Sequence, residues 1–188
     1  MSRRQTLRYD ALPLPRIWLM TDPRFGKALL PAIQRLPARS GVIFRHYDLP
    51  DEERRALFRS VRRICVRRGH ITLLADDERT ARSWHAHGFH ARKGARLSRA
   101  MIHSAPVHNR RELAQALRFS VDLVLISPVF ATNSHPGATN LGLMRFKALA
   151  RQAGGATVSA LGGMTATKAA TLANHAVHGW AAINAFRR

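Results

Sequence analysis

The chain has 188 residues, of which 46% are hydrophobic, and this size and composition predict one globular domain spanning residues 1–188. No run of about 18 apolar residues occurs, so we expect no membrane span, and the single cysteine excludes an internal disulfide. The first residues include arginines but no apolar stretch typical of a secretion signal, which leads us to expect a cytoplasmic protein.

The formal net charge of +20 raises nucleic-acid binding as a function class. We do not favour it, because the arginines are dispersed along predicted helices, are not interleaved with aromatic residues, and accompany no helix-turn-helix, zinc-finger or RNP pattern. We interpret them as solvated helix faces that also attract anionic substrates. The longest predicted helix carries these arginines: Arg54, Arg55, Arg59, Arg62, Arg63, Arg67 and Arg68.

Short aliphatic or β-branched runs alternate with helical patterns, which is typical of βα units on a parallel sheet. A first strand over residues 16–21 precedes a helix over 23–36, for which Asp22 is the predicted cap. A second strand, 41–46, precedes the longest helix, 50–68. The apolar face of that helix includes Cys65, which we interpret as a core thiol.

The same alternation continues to the end of the chain. Further strands are predicted at 71–75, 88–90, 100–104, 123–127, 156–160 and 179–184, and helices at 77–85, 109–119 and 141–153. Eight strands at this spacing fit an α/β fold of the (β/α)8 TIM-barrel type better than an open doubly wound sheet. Residues 91–99 are too few and too basic for a full helix, so we expect a compact barrel with one abbreviated crossover.

Two strand-then-glycine signals close the sequence, at residues 156–164 and 179–184. Gly162 and Gly163 follow the seventh predicted strand, where backbone N–H groups can approach an anion without obstruction by side chains. Adjacent glycines can also simply begin a helix. Their position before the last strand favours a phosphate site, which TIM barrels often form with the loops after strands 7 and 8.

Several segments at predicted strand ends form an ordered set that resembles the thiamine-phosphate synthase superfamily, which includes thiazole tautomerases, over nearly the whole chain. These segments are Leu19-Met20-Thr21-Asp22, Asp76-Asp77, Gly88-Phe89-His90, Val107-His108 before Glu112, the loop 127–135, Gly162-Gly163-Met164 and Ile183-Asn184. The resemblance implies a barrel that binds a thiazole phosphate and a pyrimidine diphosphate at the carboxyl ends of its strands. A synthase joins the two with loss of pyrophosphate, assisted by Mg²⁺.

The thiazole-phosphate half of the family pattern is well kept. The resemblance assigns phosphate binding to the glycine loop, to the segment after the last strand and to the loop after the sixth strand. The residues at those positions are Gly162, Gly163, Met164, Ile183, Asn184, Thr132, Ser134 and His135, of which His135 stands where the family has a lysine. The expected partner is therefore a phosphorylated thiazole or thiamine phosphate.

The pyrophosphate and metal half departs from the family pattern. Ile43, Arg45 and Tyr47 occupy the positions of an inward-facing Gln, Arg and Lys, so Arg45 remains as the pyrophosphate contact. Asp76 remains as one metal carboxylate, whereas the second falls on Ala95. Because Mg²⁺ requires several oxygen ligands, one carboxylate is a poor site.

A tautomerase requires a phosphate cup and a group that moves a proton, and the resemblance assigns that step to His108. Histidine suits it because its unperturbed pKa lies near neutral pH. His108 can equally make a local hydrogen bond near a helix start, and we interpret His90 and His103 as packing residues. Zinc is not favoured, because the HExxH spacing does not occur.

Three functions remain open at this point. The first is a thiamine-phosphate synthase-like transferase with Mg²⁺, and the second is a thiazole tautomerase that needs no cofactor. The third is a non-catalytic binder of a phosphorylated ligand or of nucleic acid.

Overall fold

A computed structural model describes residues 13–92, 100–131, 139–172 and 176–187. Eight parallel strands pair in chain order and close into a barrel, since β1 pairs with both β2 and β8. The predicted TIM barrel is confirmed. The strands are β1 Ile17–Met20, β2 Gly41–Phe44, β3 Ile71–Leu74, β4 Gly88–His90, β5 Ile102–Val107, β6 Leu123–Ile126, β7 Thr157–Ala160 and β8 Gly179–Ala182.

Helices follow most of the strands and cover the outside of the barrel. They are α1 Leu29–Arg35, α2 Asp51–Arg68, α3 Glu78–Ser83, α4 Arg110–Arg118, α5 Gly142–Arg151 and α6 Ala166–Ala170. The predicted helix 23–36 is instead a 3₁₀ segment, Pro23–Ala28, followed by α1, and the 3₁₀ segment is itself kinked at Gly26, which adopts a positive φ of 48°. The abbreviated crossover falls largely on residues 93–99, which lie outside the described residues.

The fifth strand differs from its prediction, 100–104, because it begins later and continues through Pro106 to Val107. Proline usually interrupts a strand, since it lacks a donor. The carbonyl of Ser104 accepts a hydrogen bond from the amide of Ala91, so the backbone groups of Ser104 point towards β4. Two residues later, the backbone nitrogen of Pro106 points to the same side. Because β4 has already ended at His90, the missing N–H of Pro106 interrupts no ladder.

The core fills the barrel and the layer between strands and helices. Trp18, Leu73 and Leu125 are fully buried in it. Cys65 is also fully buried, and burial raises the pKa of its thiol to about 12, so its interpretation as a core thiol is confirmed. Among the helices of the described residues, none combines the length and the apolar character needed to cross a membrane.

Candidate active site at the carboxyl ends of the strands

A cavity of about 820 Å³ opens at the carboxyl ends of the strands. The structure brings to its wall most of the site residues that the sequence predicts: Arg45, Asp76, His108, Gly162, Gly163, Met164, Ile183 and Asn184. Thr132, Ser134 and His135 lie outside the described residues. Residues from β2, β3, β5, β7 and β8 therefore meet at one place, as in a (β/α)8 barrel whose site is built by the loops that follow the strands.

The glycine loop after β7 packs against the loop after β6. Gly162 and Gly163 have positive φ angles of 91° and 62°. A Cβ at Gly162 would lie 2.6 Å from Pro128, and one at Gly163 would lie 2.4 Å from the carbonyl oxygen of Ala131. The carbonyl of Gly162 accepts a hydrogen bond of 3.1 Å from the amide of Phe130. Glycine is thus required by both backbone conformation and close packing.

Backbone N–H groups after β7 and β8 have no partner among the residues that the structure describes. Within the described part of the chain, the amides of Gly162, Gly163 and Asn184 donate no hydrogen bond to the protein. Lys168 of α6 lies beside them, with its Nζ 3.0 Å from the carbonyl oxygen of Gly163 and 4.7 Å from the centre of the Phe130 ring. Lys168 is not among the residues predicted from the sequence, although it stands only five residues after Gly163.

His108 is held by Glu112 at the start of α4. Its Nδ1 lies 2.8 Å from Glu112 Oε2, and its backbone amide donates to the same oxygen at 2.9 Å. The side chain of Asn109 caps the helix by accepting from the amide of Glu112. The contact between Glu112 and His108 is not predicted from the sequence. The Asn-x-x-Glu capping pattern could have indicated it, because a glutamate at that position reaches back to the start of the helix.

Glu112 is a carboxylate at neutral pH. Partial burial disfavours its charged form, but the hydrogen bonds from the ring and amide of His108, together with the charge of Arg92, outweigh burial and lower the pKa of Glu112. Because a carboxylate can only accept, Nδ1–H of His108 donates the hydrogen bond, and in the neutral ring Nε2 is then the nitrogen with a lone pair. In the described residues, Nε2 has no protein partner. The pair can therefore accept and return a proton.

Arg45 is fixed by contacts at the end of β1. Its Nε donates to the carbonyl of Thr21 at 2.8 Å, and its Nη2 lies 3.0 Å from Asp22 Oδ2. Burial lowers the pKa of Arg45 from its ordinary high value, and Asp22 opposes that shift. The charge of this cavity-lining arginine is thus already partly neutralised by the protein.

Asp76 is also engaged, by an arginine that the sequence analysis placed on a solvated helix face. That interpretation is wrong for Arg54, which is only 6% exposed because it turns inward from the first turn of α2. Its Nη1 lies 2.7 Å from Asp76 Oδ2, and the amide of Asp77 donates to Oδ1 at 2.9 Å. Both carboxylate oxygens of Asp76 therefore have a partner.

The residues present do not fit the magnesium site that the resemblance implies. Mg²⁺ requires several oxygen ligands in octahedral geometry. Asp76 already faces a guanidinium, while Asp22 is held by Arg24 at 2.6 Å and by Arg45. Throughout the residues that the structure describes, three potential metal-ligating side chains do not cluster anywhere.

His90 and His103 are buried, in agreement with their interpretation as packing residues. Burial lowers the pKa of His90 to about 3, and its Nδ1 lies 2.9 Å from the hydroxyl of Ser104. The ring of His103 stacks on Phe89 at a centroid distance of 4.2 Å. His90 is neutral at physiological pH, although it contributes to the cavity wall.

A closed eight-stranded parallel barrel with its cavity at the carboxyl ends of the strands is the architecture of (β/α)8-barrel enzymes. Within that class, residues 19–186 match the family described as thiamine monophosphate synthase, and the chain belongs to this family. Membership of this family supports a role in thiamine biosynthesis.

Relatives of the chain carry the same description. A putative thiamine-phosphate synthase 2 of Aquifex aeolicus is 26% identical over 185 residues, covering 93% of this chain and 99% of that protein. A thiamine-phosphate synthase of Thioalkalivibrio sulfidiphilus is 33% identical over 134 residues, covering 66% of this chain and 62% of that protein.

Solved structures confirm the fold. Thiamine phosphate pyrophosphorylase from Pyrococcus furiosus superposes with a TM-score of 0.75 at 18% identity, covering 93% of this chain and 90% of that one. A 2-keto-3-deoxy-6-phosphogluconate aldolase of Zymomonas mobilis superposes with a TM-score of 0.63 at 14% identity, covering 89% and 80%. At these identities the likeness concerns the barrel alone.

Proposed function

We propose that the protein binds a thiazole phosphate in the cavity and moves a proton on it, as a thiazole tautomerase does, without a divalent metal. The observation that carries this proposal is His108, which lines the same cavity as the glycine loop and whose Nδ1 lies 2.8 Å from Glu112 Oε2. The cavity volume lies within the usual range for small-molecule sites, roughly 300–1,000 Å³.

The phosphate would be held by main-chain donors. Gly162, Gly163 and Asn184 line the cavity, and within the described residues their amides donate no hydrogen bond to the protein. Backbone N–H groups bind phosphate well because they are fixed in direction and need no side-chain ordering. The ammonium of Lys168 adds positive charge behind the glycine loop.

The proton would be moved by Nε2 of His108. Glu112 fixes the tautomer by accepting a hydrogen bond from Nδ1–H, so Nε2 can act as a general base and then return the proton as an acid. The Glu112 carboxylate also stabilises the imidazolium formed between the two steps. A general acid–base residue of this kind contributes about 10²–10⁴-fold to rate.

Condensation of a thiazole phosphate with a pyrimidine diphosphate is the second candidate, and the names of the curated relatives favour it. In that reaction Arg45 would hold the departing pyrophosphate. Its guanidinium lines the cavity but is already paired with Asp22, and a diphosphate needs strong charge neutralisation as it leaves. The geometry therefore supports proton transfer better.

Calorimetric titration with thiazole phosphate, a pyrimidine diphosphate and thiamine phosphate, each with and without Mg²⁺, separates these candidates. We expect binding of the thiazole phosphate that is indifferent to Mg²⁺. Mg²⁺-dependent binding of the diphosphate, followed by condensation, would contradict the proposal and identify a synthase.

Variants test the proton-transfer step itself. In an assay of proton exchange on the thiazole phosphate, His108→Ala is expected to lower turnover about 10²-fold or more and Glu112→Gln by less. The exposed His85 offers a matched control, His85→Asn, with unchanged turnover. Full activity of His108→Ala would remove the proposed step, and ligand binding with neither exchange nor condensation would indicate a non-catalytic binder.

A further inference from the structure

Arg54 is a buried arginine at the carboxyl edge of β2 and β3, although most of the other arginines of α2 are exposed. Its Nε donates to the carbonyl of Arg45 at 2.9 Å, and its Nη2 donates to the carbonyl of Ala75 at 2.9 Å. Together with the contact to Asp76 at 2.7 Å, all three nitrogens of the guanidinium are engaged. The side chain is therefore held in one position by the ends of both strands.

Aromatic rings support the same guanidinium. Its central carbon lies 5.2 Å from the centre of the Tyr47 ring and 5.4 Å from that of Trp84. Both distances allow cation–π attraction, which partly compensates the loss of water around the charge. Tyr47 and Arg45 both line the cavity, so Arg54 contacts two of its wall residues as well as Asp76.

The place beside Asp76 is thus already taken by a cation. A divalent ion bound there would face the guanidinium at close range, and like charges in a partly desolvated site repel strongly. Displacement of Arg54 from Asp76 would leave a buried cation without its carboxylate, which is costly.

We infer that Arg54 is the built-in cation of this corner of the cavity and that it replaces a divalent metal at Asp76. It acts as a positioning residue, because it holds Asp76, the backbone of Arg45 and the ring of Tyr47 in fixed relation. The inference builds on the proposed function in one respect, since it explains how this cavity is assembled without Mg²⁺.

Titration with Mn²⁺, followed by the electron paramagnetic resonance signal of the free ion, tests whether a metal binds at Asp76. The wild type and Asp76→Asn are expected to bind Mn²⁺ equally weakly. Asp77→Asn is the matched control, because Asp77 is an exposed carboxylate one residue away. A site filled once per chain in the wild type and in Asp77→Asn, but lost in Asp76→Asn, would overturn the inference.

Thermal unfolding supplies a second readout that is independent of turnover. Asp76→Asn is expected to lower Tm by about 3–6 °C, equally in EDTA and in excess Mg²⁺, because it removes the partner of Arg54. A wild-type Tm that rises with Mg²⁺, in a manner abolished by Asp76→Asn, would contradict the inference.

A double-mutant cycle with Arg54→Met measures the pair directly, and we expect Asp76→Asn to have little further effect on Tm in that background. Equal effects of Asp76→Asn in the two backgrounds would count against the pairing. If Arg54→Met does not fold, the wild-type and Asp76→Asn comparisons still decide. Neither Mn²⁺ binding nor Tm depends on turnover. A protein without tautomerase activity would therefore leave this inference standing, whereas a metal bound at Asp76 would overturn it.

Discussion

At the scale of single residues, ion pairs and one histidine–carboxylate hydrogen bond fix the side chains at the strand ends. Asp22 forms ion pairs with Arg24 and Arg45, Arg54 forms one with Asp76, and His108 is hydrogen-bonded to Glu112. Each pair joins groups at or near the cavity wall, so the charges that could bind a ligand are first used to fix the wall. Among the described residues, the amides of Gly162 and Gly163 donate no hydrogen bond to the protein.

The Asp22 pair makes a pH-dependent contribution to stability. The hydrogen bond from Arg24 is the main reason why the pKa of Asp22 is lowered from 3.8 to about 2. A lowered folded-state pKa means that the stabilisation is present above pH 4 and is lost as the pH falls towards 2. Allowing for the exposure of Arg24, we expect about 1–2 kcal/mol.

Urea unfolding of the wild type and of Asp22→Asn as a function of pH measures this term. Asparagine is an equally good helix cap, so the substitution removes the charge and keeps the cap. The difference in free energy of unfolding is expected to be constant above pH 4 and to shrink below it. A difference that grows on acidification would show that the pKa of Asp22 is raised in the folded state instead of lowered.

At the scale of elements, the loops after β6 and β7 act as one unit. The amides of Val129 and Phe130 donate to the carbonyls of Leu161 and Gly162, and the two glycines fit against Pro128 and Ala131. The glycine pair, which the sequence predicts to bind phosphate, therefore has a packing function in the structure. A substitution there is expected to affect both stability and ligand binding.

Gly162→Ala should be strongly destabilising, because its Cβ would lie 2.6 Å from Pro128 on a backbone with φ of 91°. We expect a loss of about 2–4 kcal/mol, the sum of backbone strain and steric overlap. Gly154→Ala is the matched control, since Gly154 has φ of 59° and open space around the Cβ position, and it should cost about 1 kcal/mol.

Urea unfolding gives the stability of both variants, and titration with thiazole phosphate gives their affinities. Loss of affinity is expected for Gly162→Ala and not for Gly154→Ala. Equal destabilisation by the two substitutions would show that steric contact with the β6 loop is unimportant.

At the scale of the whole molecule, the chain carries a net charge of +20, whereas the arginines at the cavity are paired: Arg45 with Asp22, Arg54 with Asp76 and Arg92 with Glu112. Long-range attraction acts on the approach of an anion, whereas its final binding depends on local donors. The charge should therefore influence the association rate more than the dissociation rate.

Stopped-flow measurement of thiazole phosphate binding at increasing KCl concentration tests this separation. The association rate constant is expected to fall several-fold as the Debye length shortens to about 8 Å at physiological ionic strength, with little change in dissociation. Sucrose at matched osmolarity serves as the control. A salt effect confined to dissociation would contradict the prediction.

The order of strands, the closed barrel and the position of the glycine loop followed from the sequence, because alternating apolar runs and helical periodicity are local patterns that a parallel sheet must bury. Arg45, Asp76 and His108 could likewise be placed at one edge, since the carboxyl ends of parallel strands converge. Proline obscured the true extent of β5, because its effect depends on which neighbour its nitrogen faces.

The tertiary structure alone decided which charges are buried and paired. In sequence, Arg54 is indistinguishable from its neighbour Arg55, yet one turns inward to Asp76 and the other remains exposed. That difference depends on the position of α2 over the ends of β2 and β3, and it converts an apparent metal ligand into half of an ion pair. Side-chain direction and desolvation arise from packing between distant segments, which local patterns do not encode.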